Sequence, residues 1–329
     1  MSGLRLSVLD QSPIPQGASA QDALRNTIDL ARLADDLGYH RYWVAEHHGT
    51  PALACTSPEV LIGPVAAATS RLRLGSGGVM LPHYSPLKVA ENFSMLGNLF
   101  PGRIDLGIGR AAGTSRNVSL ALQRDRRQPA PEDFPEQLNE LLAYFENGMH
   151  DPEIWLLGSS PQSAIWAAEL GLPYCFADFI NPHGAEIVRH YSRVFQPSLA
   201  FRKPQGAVAA WVICAETDEE AQQLSLSARM MLALLHRGRL IPVPTVERAR
   251  QFVLEEKTPL ELLGVGRRFI TGSPAKVRAQ VEALASDYGA NEVFLVNILH
   301  NHAARRRSYE LVAGEFGLIL ASGTKRAVA

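Results

Sequence analysis

Short apolar runs alternate with longer amphipathic stretches along most of the chain. Residues 5–9 (RLSVL) make a compact apolar run that closes on Asp10-Gln11-Ser12-Pro13, a cluster of turn formers. Residues 20–38 then place Leu24, Ile28, Leu30, Ala31, Ala34 and Leu37 on one helical face, with Gly38 at the stop. Strands predicted over 42–45, 72–81 and 104–108 alternate with helices over 58–69 and 87–99. A loop-rich connection, 111–133, leads to a helix at 136–145. Further strands are predicted over 154–157, 174–177 and 208–215, with helices near 164–170, 185–195 and 219–235. A helix over 274–288, opened by Ser273-Pro274, precedes a last strand over 291–298, and a helix over 305–320 follows it.

Eight strands, each followed by a helix, predict an α/β chain folded as one (β/α)8 TIM barrel, with residues 1–329 as a single domain. Two Rossmann domains fit less well, because no G-x-G-x-x-G follows the first strand. Two polar, proline-bearing excursions break the alternation: 111–133 after strand four and 237–268 before strand eight. Excursions of this length in a compact barrel are lids, binding loops or disordered segments.

Composition narrows the class without assigning chemistry. Apolar residues make up 46% and charged residues 20%, enough for a full globular core. The formal net charge of −1 excludes the broad basic excess that nucleic acid or an anionic membrane requires. Arg305-Arg306-Arg307 is the one basic run, and it reads as a solvated helix face. Cys55, Cys175 and Cys214 are odd in number and far apart, which fits small core residues and neither a disulfide framework nor a zinc ribbon. With no secretory leader and no membrane-length apolar run, the chain is expected to be cytoplasmic.

In such a barrel, chemistry gathers at the carboxyl ends of the strands. That filter collects Asp10, Gln11, Glu46-His47-His48, His83-Tyr84, Arg110, Gly158-Ser159-Ser160, Asp178, Asn297, His300 and His302. Adjacent residues after a strand point to opposite faces, so one of His47 and His48 reaches over the mouth; surface histidines are the alternative. Leu74-Gly75-Ser76-Gly77-Gly78-Val79 is unusually glycine-rich for a strand, which fits either the close approach of a flat ligand or tight packing inside the barrel. Arg110 ends the fourth strand and suits a phosphate or carboxylate, or an ordinary surface ion pair. Gly158 to Ser163 (GSSPQS) converges backbone N–H groups at a helix start, an anion site or simply a serine cap. Arg110 and this loop follow adjacent strands, so together they suit one phosphate.

In order and spacing these motifs resemble the bacterial luciferase-like flavin monooxygenases, over nearly the whole chain. The resemblance is carried by SVLDQSP (Ser7 to Pro13), Glu46-His47-His48, GSGGVMLPHYSP (Gly75 to Pro86), PGRIDLGIGR (Pro101 to Arg110), WLLGSSPQSA (Trp155 to Ala164) and NHAARRRSYELVA (Asn301 to Ala313). It implies a TIM barrel holding FMN at its mouth, with a non-prolyl cis peptide at Gly77-Gly78 beneath the flavin ring. Arg110, Ser159, Ser160 and Ser163 would then bind the phosphate, although Ser159 stands where luciferase has a glutamate. His47 matches the catalytic histidine, with Glu46 beside it a second catalytic candidate; no metal is implied. The stretch between Tyr144 and Ile154 is shorter than this subgroup leads one to expect, implying an absent or a mobile lid element.

The function implied is oxidation of a small organic substrate by oxygen and reduced FMN, the latter delivered by a separate flavin reductase to an enzyme expected to be a homodimer. Neither nucleic acid nor membrane is an expected partner. Two other readings stay open: a deazaflavin-dependent dehydrogenase or reductase, and a non-catalytic flavin-binding protein. His83, His300 and His302 reach either the substrate or the surface.

Overall fold

The elements form where local chemistry starts and stops them. Strand β1 (Arg5–Asp10) leads to α1 (Ala20–Leu37), which begins with a reciprocal capping box between Ser19 and Asp22 and ends on Gly38 in the left-handed conformation. β2 (Arg41–Val44), α2 (Pro58–Ala68), β3 (Arg73–Met80), α3 (Pro86–Leu99) and β4 (Ile104–Gly109) come next. Proline occupies the first turn of both α2 and α3, where its missing N–H costs nothing. Then come α4 (Arg116–Leu122), α5 (Phe134–Glu146), β5 (Glu153–Gly158), α6 (Pro161–Glu169), β6 (Tyr174–Ala177), α7 (Ala185–Val194) and β7 (Gly206–Cys214). The chain continues through α8 (Asp218–His236), α9 (Val246–Glu256), β8 (Phe269–Gly272), α10 (Pro274–Tyr288), β9 (Glu292–Val296) and α11 (His302–Phe316). This computed structural model describes residues 3–110, 116–122, 132–146, 152–256 and 266–318.

Strands β1 to β7 and β9 close a parallel ring, with β6 pairing β7 and β1 pairing β9. This is the (β/α)8 barrel. β8 is an addition that the periodicity of the sequence does not reveal. It pairs only with the upper end of β7, from Trp211 to Cys214, while the lower part of β7 pairs with β9. The excursion over 237–268 is therefore not structureless. It contains α9 and runs into β8, while residues 257–265 lie outside the described part. The earlier excursion contributes α4; its residues 111–115 and 123–131 also lie outside, as do 147–151 in the shortened stretch before β5.

Period-two alternation divides the apolar residues between two layers. Leu6, Val8, Leu74, Leu106 and Val208 face the surrounding helices, whereas Leu9, Trp43, Trp155, Ala209, Trp211 and Phe294 fill the barrel interior. The lower interior is polar. Arg41, 3% exposed, pairs with Asp105 at 2.8 Å, Glu153 at 2.7 Å and Glu292 at 3.2 Å, and the Trp43 indole N–H donates to Asp105 at 2.9 Å. Three carboxylates around one guanidinium hold its proton more firmly than in water despite burial. This network closes the end of the barrel opposite the mouth.

The arginine run on α11 is not the solvated face that its sequence suggests. Arg305 is 2% exposed and donates to Asp10 at 2.6 Å, while Arg306 pairs with Asp29 and Arg307 with Glu216. One face of the run is thus a structural lock between β1 and α11. The three cysteines are buried, as expected, and burial pushes the thiols of Cys55 and Cys214 up to about 12. Among the described residues no helix is long and apolar enough to cross a membrane.

Candidate active site

The mouth is shaped by the loops that leave the carboxyl ends of the strands. β2 and β3 are in register with Val44 opposite Ser76, so Glu46 and His47 emerge beside Gly77 and Gly78. The register between β3 and β4 slips between Ser76 and Val79, and the Gly77-Gly78 peptide within the slip is cis. A Cβ on Gly77 would strike Leu9 and come within 3.2 Å of Trp43 Cβ; one on Gly78 would lie 2.7 Å from the Gly107 carbonyl oxygen and 2.8 Å from Leu157 Cδ1. Packing alone therefore requires glycine at these positions, and it leaves a floor without side chains. Gly109, at the end of β4, faces open space.

Glu46 is 2% exposed and fully engaged. Its carboxylate accepts from the Tyr84 hydroxyl at 2.9 Å and the Met80 N–H at 3.0 Å, and lies 2.6 Å from His48 Nε2. It ties the loop after β2 to the turn after β3. Its charge also helps to raise the Tyr84 hydroxyl above the usual phenol range, an effect led by burial. His47 points elsewhere. Its backbone N–H donates to Cys55, while its buried Nδ1 has no hydrogen-bond partner among the described residues. Burial, reinforced by His48, lowers its pKa to about 4, so at neutral pH it is an uncharged imidazole with a nitrogen to offer. His83 Nε2 is likewise buried and unpartnered among the described residues, with its ring edge-on to His48 at 6.1 Å.

On the adjoining rim, β4 and β5 pair with Gly109 beside Leu157, which sets Arg110 next to the loop at Gly158. Arg110 is exposed and makes no ion pair among the described residues. Ser160 is the N-cap of α6 by position, but its side chain makes no capping hydrogen bond. The serine-cap reading thus fails, and the first-turn N–H groups are left for another acceptor. The Ser163 hydroxyl is already engaged, donating to the Ser160 carbonyl at 2.8 Å and pairing with the Tyr174 hydroxyl at 2.9 Å. Asn181 Nδ2 donates to the Ser159 carbonyl at 3.1 Å, fixing the loop from the side of β6.

Other residues collected by the sequence filter have partners within the fold, although the buried Oδ2 of Asp178 and Oδ1 of Asn297 have none among the described residues. Asp10 accepts from Arg305, Tyr42 and the Ser12 N–H; burial would raise its pKa, but these partners together hold it below the usual carboxylate range. Asp178 accepts from Tyr288 at 2.7 Å, and Asn297 donates to Val212 and Ser308. His300 contacts the Gln16 carbonyl in the loop after β1, and His302 pairs with Asp29 on α1. Sequence reasoning missed the aromatic wall on the side of β6, β7 and β8. There Trp211 and Phe269 stack at 5.3 Å and Phe179 meets Trp211 edge-on at 6.2 Å. Its signal was one aromatic residue in each of two strands, Trp211 in β7 and Phe269 in a four-residue β8 too short to recognise.

A closed parallel barrel that gathers a histidine and an arginine at the carboxyl ends of its strands is of the α/β-barrel class. The particular family emerges from comparison: residues 4–292 match the luciferase-like monooxygenase model, and the chain belongs to that family of oxidoreductases. It is 37% identical to N-acetyl-S-alkylcysteine monooxygenase of Bacillus subtilis (strain 168), over 94% of this chain and 97% of that protein. It is 40% identical to the solved structure of apo-MsnO8, with a TM-score of 0.89 over 96% of this chain and 99% of that one. The FMN complex of the oxygenating constituent of 3,6-diketocamphane monooxygenase from Pseudomonas putida shares the fold, at 20% identity and a TM-score of 0.73, covering 95% and 98% of the two chains.

Proposed function

We propose that the chain, acting as one luciferase-like unit over 1–329, uses reduced FMN and oxygen to oxidise a small organic substrate. The observation that carries this reading is the rim shared by β4 and β5. There an arginine without a carboxylate partner among the described residues stands beside a helix start without a side-chain cap. Such a pair suits a phosphate monoester, and the glycine floor beyond it suits a flat ring. The FMN complex of the diketocamphane enzyme and the monooxygenase named for N-acetyl-S-alkylcysteine support the reading by similarity.

Bound reduced FMN would supply the electrons that activate oxygen. The chain supplies the rest. Arg110 and the N–H groups at Ser159, Ser160 and Ser163 hold the phosphate; Gly77 and Gly78 lie under the ring; the aromatic wall keeps water out. His47, a neutral imidazole whose buried Nδ1 has no partner among the described residues, is the proton acceptor that the loop after β2 offers to a bound ligand. Glu46, fully engaged, positions His48 and Tyr84 and does not reach a substrate. A separate reductase delivers the reduced flavin to an enzyme read as cytoplasmic.

A second copy of the chain is the partner that the exposed apolar residues of α2 and α3 suit. α2 carries one charge, Glu59, in its first turn and exposes Val60 at 69%, with Pro64 and Ala67 beside it. α3 packs against it and exposes Met95 and Leu99 at 60% and 63%. α3 also exposes the Lys88–Glu91 ion pair, so a two-fold contact here would join a mixed apolar and polar patch to its own copy.

Titrating the purified protein with FMN, riboflavin and a deazaflavin tests the cofactor reading. FMN is expected to bind about 10-fold or more tightly than riboflavin, and Arg110→Ala to remove most of that difference. Equal binding of FMN and riboflavin, or preferential binding of the deazaflavin, would contradict it.

A further inference from the structure

Three arginines converge on the side of the mouth formed by β6, β7 and β8. Arg268 pairs with Asp178 at 3.5 Å and donates to the Pro182 carbonyl at 3.0 Å. The Arg229 guanidinium, from α8, lies 4.3 Å over the Phe269 ring. Arg267 differs from both. It donates to the Phe179 carbonyl at 2.8 Å, and the same oxygen accepts from the Trp211 indole N–H at 3.0 Å. No carboxylate among the described residues lies within ion-pair distance of it. The fully buried guanidiniums are matched by acids, Arg41 by three and Arg305 by Asp10, and the half-buried Arg103 is matched by three carbonyls and a hydroxyl, whereas Arg267 has one carbonyl among the described residues.

Arg267 is half-buried, and burial lowers its proton affinity with no acid among the described residues to restore it. A charge withdrawn from water is costly unless it is paired. One carbonyl uses one of five guanidinium N–H groups, leaving the planar fork able to take a carboxylate through two bonds. The partner surface is apolar. Phe269 and Phe179, both half-buried, supply its accessible part, and the buried Trp211 backs them, stacked on Phe269 with the planes 16° apart. A cation at one border of an aromatic wall suits a ligand with an anionic end and an apolar body.

We infer that the substrate is an organic acid whose carboxylate is received by Arg267 and whose apolar body lies against Phe179 and Phe269 toward the glycine floor. This rests on the flavin reading of the mouth, in which the cofactor's own phosphate is the competing anion. Arg267 binds the Phe179 carbonyl two residues from Asn181, which holds the Ser159 loop, so the titrations must tell the two anions apart.

The probes are 4-phenylbutyrate and 4-phenylbutanol, alike in apolar body and different in charge. Each is titrated into FMN-saturated full-length protein and followed by tryptophan fluorescence and flavin absorbance. The acid is expected to bind about 10-fold or more tightly than the alcohol. Arg267→Met removes that preference, leaving the alcohol's affinity and the ratio of FMN to riboflavin affinity within about two-fold, and Arg267→Lys retains part of it. Equal binding of acid and alcohol, binding of neither, or a preference that survives Arg267→Met overturns the proposal. So does a variant whose FMN affinity falls while its riboflavin affinity holds, which assigns Arg267 to the cofactor phosphate. If wild-type protein takes no FMN, the flavin reading fails on its own, and the same titrations on the cofactor-free chain still decide between acid and alcohol.

Discussion

The histidine pair after β2 shows how two adjacent, identical side chains come to do different work. His48 is drawn to Glu46 at 2.6 Å, whereas His47 turns to a buried place where its Nδ1 meets no partner among the described residues. Burial lowers the His47 pKa to about 4 from an ordinary 6.5, and His40 falls to about 4 for the same leading reason, with Arg41 adding to it. Between those values the unfolded chain holds the protons that the folded chain refuses. Their contribution to stability is therefore complete above pH 6.5 and is lost as pH falls toward 4. His47→Gln is expected to flatten that acid-side loss by about 2–3 kcal/mol. Urea midpoints of wild type and variant across this window check it, and parallel acid slopes would refute it. The presence of a histidine at this point was legible in the sequence, but which of the two points inward was not. Arg305 was read as solvated because its partner, Asp10, lies 295 positions away and no local pattern encodes the pair.

Among the elements, β3 and β4 show what glycine-rich strands are for. Gly78 sits where a Cβ would lie 2.7 Å from the Gly107 carbonyl oxygen, whereas Gly109 has nothing within 4 Å. Gly78→Ala is therefore expected to cost about 1–3 kcal/mol through overpacking. Gly109→Ala is expected to cost less than about 0.5 kcal/mol, as for a surface site. Denaturant titration of both variants checks the contrast, and equal costs would contradict the packing described. Most helices and strands were legible because each carries its own period and its own cap, such as Gly38 after α1 or Ser273-Pro274 before α10. β8 was not, since four residues carry no period and the strand exists only through its pairing with β7.

For the whole molecule, alternation along the chain was enough to predict a closed parallel barrel, because each strand–helix unit buries its apolar side against the same shared sheet. The aromatic wall and the positive cluster beside it were hidden, since α8, β8 and the loop after β6 meet only in the folded barrel. The exposed apolar residues of α2 and α3 belong to this scale as well. Val60→Glu combined with Met95→Glu is expected to convert a dimer to a monomer in sedimentation while leaving the circular dichroism spectrum unchanged, and a wild type that sediments as a monomer would rule the dimer out. The central claim is that the mouth holds FMN between two rims. A crystal structure of the full-length protein saturated with FMN tests it most directly. The phosphate is expected within hydrogen-bonding distance of Arg110 and the first-turn N–H groups of α6, with the flavin ring over Gly77 and Gly78. A phosphate bound away from Arg110, or a ring lying off that floor, would contradict it.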